Sequence, residues 1–129
     1  MEHQGDRPRV LFVDDDGSML GGLRVALRRQ AKTWDMRFAQ NASEALASVR
    51  SWTPDVVVSD MRMPGVDGAE LLRVVAEEFP DALRIALSGQ ADGDLNRRGE
   101  AVAHYWFDKP CGRERLIEAI EGWLADRTS

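Results

Sequence analysis

The sequence predicts a doubly wound α/β domain, a parallel sheet with helices on both faces. Three observations carry that expectation. Short β-rich runs alternate with helical patterns along the whole chain. The runs VLFV and VVV are continuously apolar, as strands buried on both sides must be. The chain is also the right size, since 129 residues with 43% hydrophobic content suffice for one ordinary core.

Strands are expected at Arg9–Val13, Trp34–Ala39, Asp55–Ser59, Leu83–Leu87 and His104–Phe107, each rich in branched or aromatic residues. After the first strand, Leu20, Leu23 and Leu27 recur at helical spacing. After the second, Ala42, Ala45, Leu46 and Val49 do the same. A third helix carries Leu71, Leu72, Val75 and Phe79 and stops at Pro80, and a last one carries Leu116, Ile117, Ile120 and Leu124. Between them, Ala91 to Ala103 holds Gly93 and Gly99 and few apolar residues besides Leu95 and Val102, so it reads as a short, loosely held helix.

Composition narrows the function. Seventeen Lys and Arg against twenty-two Asp and Glu give a net charge of −5, and the basic residues read as scattered, which argues against a nucleic-acid surface. The single cysteine, Cys111, forms no internal disulfide and excludes a thiolate metal cluster. It reads as a small buried filler. No apolar run approaches the ~20 residues needed to cross a bilayer, and MEHQGDRPR lacks the apolar core of a signal peptide, so the expected location is cytoplasmic.

In doubly wound sheets ligands bind beyond the carboxyl ends of the strands. There the first strand ends in Asp14, Asp15 and Asp16, the third in Asp60 and the fourth in Ser88, while the fifth runs into Lys109 and Pro110. Crowded carboxylates raise one another's pKa unless a cation neutralises them, and a hard dication such as Mg²⁺ takes oxygen ligands of this kind. An aspartate beside such a metal can attack a phosphoryl group, a lysine can offset the phosphoryl charge, and a serine hydroxyl can donate to its oxygens. On residues alone, DDD fits a phosphatase nucleophile loop, a metal cradle for an acceptor elsewhere, or a solvated turn that caps a helix.

FVDDD, VVVSDMRMPGVDG, ALSG and WFDKP, in this order and on these strands, resemble the receiver domain of two-component response regulators. The likeness covers residues 9–125, with 1–8 an N-terminal tail and 126–129 a C-terminal tail or the start of a linker. It implies a flavodoxin-like (βα)₅ fold of strand order 2-1-3-4-5 that takes a phosphoryl group from a sensor histidine kinase, or from a phosphotransfer protein, with Mg²⁺. The resemblance makes Asp60 the acceptor and Asp15 a direct metal ligand with the backbone carbonyl of Arg62, Asp14 assisting through water. Ser88 and Lys109 meet the phosphoryl group, Pro110 takes the place of a cis proline, and Trp106 holds an aromatic switch position where Tyr or Phe is commoner. Gly89 stands where relatives commonly have alanine, leaving the site more open. Arg62 and Gln90 stand where side chains tune the lifetime of the phosphoaspartate.

The implied output is a changed face of fourth helix, fifth strand and fifth helix, read by an output domain, a partner or a second copy as a homodimer, with no direct contact to nucleic acid or membrane. LSGQAD with DKPC resembles receivers joined to HD-type output domains. Asp16 and Ser18 are left to the helix start, and Asp67 to capping the helix that follows. Met61 and Met63 read as loop packing, as do Trp34, Trp52 and Trp123 in the core, and neither His3 nor His104 has a partner that makes it catalytic. Two rivals remain. VDDDGS is also similar to the DxDGT loop of haloacid dehalogenase-type phosphatases, with Asp14 as nucleophile and Asp16 as acid, but no acidic pair follows Lys109 and DMRMPGVDG is left unexplained. The other is a receiver-like interaction module that is never phosphorylated.

Overall fold

In the computed structural model, which describes residues 7–89 and 93–128, the chain alternates strand and helix from end to end. The order is β1 (Arg9–Val13), α1 (Gly17–Ala26), a 3₁₀ helix (Arg28–Lys32), β2 (Asp35–Ala39), α2 (Ala42–Trp52), β3 (Val56–Asp60), α3 (Gly68–Glu78), β4 (Leu83–Ser88), α4 (Gly93–Val102), β5 (Tyr105–Asp108) and α5 (Arg113–Thr128). All neighbouring strands are parallel, in the order β2-β1-β3-β4-β5. The expected fold class and strand order are therefore both present.

Right-handed crossovers decide which face each helix covers. The step from β1 to β2 runs one way across the sheet and the later steps run the other way, so α1 falls on one face and α2, α3 and α4 on the opposite one. The core follows the period of two. Val10 and Phe12 of β1 join Leu20, Leu116 and Ile120 on the α1/α5 face, while Leu11 and Val13 join Val49, Leu71 and Val75 on the α2/α3/α4 face.

Local chemistry sets several ends. Asp16 caps α1 by accepting from the N–H groups of Ser18 and Met19, Asn41 caps α2 through Glu44, and Asp67 caps α3 through Glu70. The helix-start reading of Asp16 and the capping reading of Asp67 both stand. Asp55, just before β3, accepts from the Arg9 N–H at 2.9 Å and from the Arg127 guanidinium at 2.9 Å, tying the end of α5 to the sheet.

Some expectations need correction. Asp35 rather than Trp34 opens β2, because the Trp34 indole turns inward and donates to Glu121 at 2.8 Å. Strands β3 and β5 each lie one residue later than expected, and β4 extends to Ser88. The 3₁₀ helix Arg28–Lys32 was not foreseen, since its residues are good helix formers and read as more of α1. Cys111 is only partly buried, on the margin of the α1/α5 core, and so is not a buried filler. Of the expected fourth helix, residues 91 and 92 lie outside the described ones; the rest begins at Gly93 and buries Leu95 and Gly99. The basic residues are not all scattered either, because Arg24, Arg28, Arg29 and Lys32 fall together around the end of α1.

Candidate functional site

Strand β1 has neighbours on both sides, β2 reached first and β3 later, so a crevice opens where the chain direction reverses, beyond the ends of β1 and β3. The two acid-bearing strand ends meet there. Asp14, Asp15 and Asp60 each place a carboxylate oxygen within 4.8 Å of the others, with Asp14 and Asp60 buried and Asp15 exposed.

Lys109 enters this acidic group from the turn after β5. Its Nζ lies 3.0 Å from Asp14 Oδ2 and 3.2 Å from Asp60 Oδ1, so one ammonium spans two carboxylates. Its position is set by backbone: the Lys109 N–H donates to the Ser88 carbonyl at 2.8 Å, and the Lys109–Pro110 peptide is cis. Asp14 has both oxygens engaged, since Oδ1 accepts from the Asp16 N–H at 2.9 Å. Asp15 makes no side-chain hydrogen bond among the described residues.

The electrostatics match the crowding. Burial, joined by the charges of Asp14 and Asp15, raises the Asp60 pKa above the usual carboxylate range although Lys109 opposes the shift. Burial works against the charge of Lys109, but its hydrogen bond to Asp14 and the nearby Asp60 outweigh that, so its pKa also rises. The set suits a hard dication: oxygen donors only, two of them buried, with a net negative charge that one lysine does not cancel.

Ser88 ends β4 in buried surroundings, and Asp60 pairs in register with Leu87 beside it. A Cβ added at Gly89 would lie 3.5 Å from the Lys109 side chain, so glycine leaves the site open by one methyl group without being sterically required. Arg62 is exposed in the loop after β3. Gln90 lies outside the described residues. Trp106 is partly buried and packs on the α2/α3/α4 core.

Sequence reasoning missed three contacts around the site. A Cβ at Gly68 would stand 2.0 Å from the Asp60 carbonyl oxygen, so α3 begins in direct contact with the backbone of Asp60. A Cβ at Gly99 would stand 2.5 Å from the Trp106 ring and 2.9 Å from the Met61 sulfur; the indole fills a slot that this glycine leaves in α4. Arg98 of α4 reaches Asp67 at 2.9 Å and Asp94 at 3.0 Å. Burial disfavours the Asp67 anion, but hydrogen bonds from Arg98 and the Glu70 N–H hold its carboxyl below the usual range. The residues were visible in the sequence, but their partners lie across elements. Met61 and Met63 are buried, as loop packing requires, and His104 Nδ1 accepts from the Arg84 N–H at 3.0 Å, a structural role.

Residues 10–121 match the sequence model of the response regulator receiver domain. The chain belongs to this family. It is 39% identical over 115 residues to the DNA-binding transcriptional regulator NtrC of Salmonella typhimurium, a match that covers 87% of this chain and 24% of that protein. It spans between 23% and 52% of the length of other such relatives. Its fold superposes on the signal receiver domain of an HD domain-containing protein from Pseudomonas fluorescens Pf-5 with a TM-score of 0.85 and 28% identity, covering 95% of this chain and 98% of that one. A CheY-like receiver domain from Methanospirillum hungatei JF-1 gives a TM-score of 0.85 at 25% identity, over 95% of this chain and 97% of that one. Membership makes this a regulatory domain rather than a dedicated enzyme, and the phosphatase reading of Asp14 is set aside. No helix among the described residues is long and apolar enough to cross a membrane.

Proposed function

We propose that this receiver is a phosphorylation switch with Asp60 as its acceptor. A carboxylate oxygen of Asp60 attacks the phosphorus of a phosphohistidine on a sensor kinase or phosphotransfer protein. The P–O bond forms as the P–N bond breaks, and the imidazole leaves and takes up a proton. The observation that carries the reading is the meeting of Asp14, Asp15 and Asp60 within 4.8 Å around the Lys109 ammonium. Desolvation makes the Asp60 carboxylate more basic, and therefore a better nucleophile once ionised.

Asp15, Asp60 and the Arg62 carbonyl would hold Mg²⁺ directly, with Asp14 acting through water because both of its oxygens are engaged. When bound, the ion neutralises the carboxylates and the incoming phosphoryl oxygens. Lys109 turns from Asp60 to the new phosphoryl oxygens, and the Ser88 hydroxyl donates to another. That pull shifts β5 and α4, and with them Trp106 in its Gly99 slot, between two populations. Partners read the face of α4, β5 and α5. Arg62 shields the phosphoaspartate and Gln90 orients the water that hydrolyses it. For the output, LSGQAD and DKPC, together with the HD-linked relative from Pseudomonas fluorescens, favour an HD-type domain.

The test is incubation with acetyl phosphate and Mg²⁺. One phosphoryl group labile to base and hydroxylamine is expected, and Asp60→Asn removes it. Labelling that survives Asp60→Asn overturns the assignment of the acceptor. A wild type with neither labelling nor Mg²⁺-dependent quenching of tryptophan fluorescence is instead the unphosphorylated interaction module.

A further inference from the structure

The segment between β3 and α3 carries the Arg62 carbonyl, and backbone fixes its two ends. The Met61 N–H donates to the Leu87 carbonyl of β4 at 3.0 Å, and the Gly68 N–H donates back to the Met61 carbonyl at 2.8 Å, which closes the stem of the loop. Between them the chain turns at Gly65 with φ +75°. The outer part of the loop faces α4 across a groove of about 220 Å³, with Arg62, Gly65 and Asp67 on the loop side and Asp94, Leu95 and Arg98 on the helix side. The Arg98 side chain spans that groove. It donates through Nη1 and Nη2 to the two Asp67 oxygens at 3.3 and 2.9 Å, and through Nε to Asp94 at 3.0 Å. Asp67 is itself anchored, because its Oδ1 also accepts the Glu70 N–H at 2.9 Å as the cap of α3. Helix α4 gains from such a tie. It buries only Leu95 and Gly99, and the Asn96 side-chain oxygen is enclosed without a hydrogen-bond partner, so its own packing holds it weakly.

We propose that Arg98 is a positioning residue for metal binding: by tying α4 to Asp67 it holds in place the loop that presents the Arg62 carbonyl. The role rests on the reading of that carbonyl as a ligand of Mg²⁺. The ion demands near-ideal octahedral geometry, so a ligand on a loop already held in position binds it better than one that must be ordered first. A guanidinium suits the task. Its planar fork serves Asp67 with two donors and Asp94 with a third, a geometry that the single ammonium of a lysine does not fix. Arg73 gives the contrast: it also pairs with two carboxylates, Glu70 and Glu77, but all three lie on α3, so it ties that helix only to itself. Linkage makes the coupling reciprocal. If α4 steadies the loop that meets the ion, binding of the ion steadies α4 by the same factor.

Calorimetric titration of Mg²⁺ into the whole chain, paired with amide hydrogen exchange, tests the proposal. Arg98→Met is expected to weaken Mg²⁺ binding by about two- to fivefold, the scale of an exposed ion-pair network, and to speed exchange over residues 63–67. Removal of a positive charge by itself favours a cation, so weaker binding reports on position rather than on field. In wild type, Mg²⁺ slows exchange over residues 95–102, and in Arg98→Met that protection is lost. Arg98→Lys recovers part of the affinity, and Arg73→Met matches wild type in both measurements. Asp67→Asn costs little more once Arg98→Met is present, because the two act through one contact. Three results overturn the proposal: wild-type affinity and wild-type protection of α4 in Arg98→Met, tighter Mg²⁺ binding in that variant, or an equal loss in Arg73→Met, the mark of a general effect on α3. A wild type that binds no Mg²⁺ overturns the reading of the carboxylates as a metal site, and this role for Arg98 with it.

Discussion

On the face of the sheet covered by α2, α3 and α4, every helix arginine meets a carboxylate: Arg50 with Glu78, Arg73 with Glu70 and Glu77, Arg97 with Asp94, and Arg98 with Asp67 and Asp94. On the other face, Arg113 and Arg127 of α5 meet Glu114 and Asp55, while Arg24, Arg28 and Arg29 around the end of α1 meet none among the described residues. The glycines divide in the same way. Gly68 and Gly99 are pressed against backbone and aromatic ring, whereas Gly21 and Gly22 of α1 have nothing within 4 Å of an added Cβ. One face spends its local chemistry on internal contact around β3. On the other, helix α1 leaves charge and space open to solvent.

The hardest test of this contrast is Gly68→Ala. Its Cβ meets a backbone oxygen, which no rotamer change relieves, so a loss of more than about 3 kcal/mol is expected in denaturant unfolding. Next comes Gly99→Ala, expected to cost about 1–3 kcal/mol and to move the Trp106 ring toward solvent with a red-shifted emission. The cost shrinks in a Trp106→Phe background, because the atoms in collision belong to the indole, and a double-mutant cycle measures that coupling. On α1 the sign reverses: Gly21→Ala and Gly22→Ala each gain about 0.5–1 kcal/mol by raising helix propensity at exposed positions. If Gly68 and Gly99 accept alanine as readily as Gly21 and Gly22 do, the two faces do not differ in this way.

The smallest effect is one of pH. The folded Asp67 carboxyl titrates below its unfolded value, so its contribution to stability is complete above the ordinary carboxylate range, about pH 3.9, and is lost as pH falls through the folded value. Asp67→Asn keeps a helix cap but removes the anion. It should be less stable than wild type at neutral pH by under about 1 kcal/mol, given solvent screening, and the gap should close in acid, as denaturation midpoints at the two pH values would report.

The parts legible from sequence are those governed by local pattern. Alternating runs gave the strands, helical spacing gave the buried stripes, and acids before helices gave the caps at Asp16 and Asp67. The meeting of Asp14, Asp15, Asp60, Ser88 and Lys109 at one rim followed because strand ends in a parallel sheet share an edge. What stayed hidden depends on distance along the chain. Arg98 and Asp67 are 31 residues apart, and nothing near either one announces the pair. Gly99 reads as a weak point in a poor helix because propensity counts its missing side chain as a loss, while the fold uses the vacancy to seat an indole from the next strand. The 3₁₀ helix after α1 escaped for the converse reason, since its residues suit either helix type and only the inward turn of Trp34 ends the run.

The tie between Arg127 and Asp55 can be viewed mechanically. Asp55 is hydrogen-bonded through backbone to both β1 and β4, so it is braced by strands on either side of β3. A pull on the last turn of α5 loads the Arg127 guanidinium first, then Asp55, and then the root of the strand whose other end holds Asp60. Of the three helices that follow Asp55 in the chain, α5 therefore has a direct load path into β3, entering it at the end farthest from Asp60.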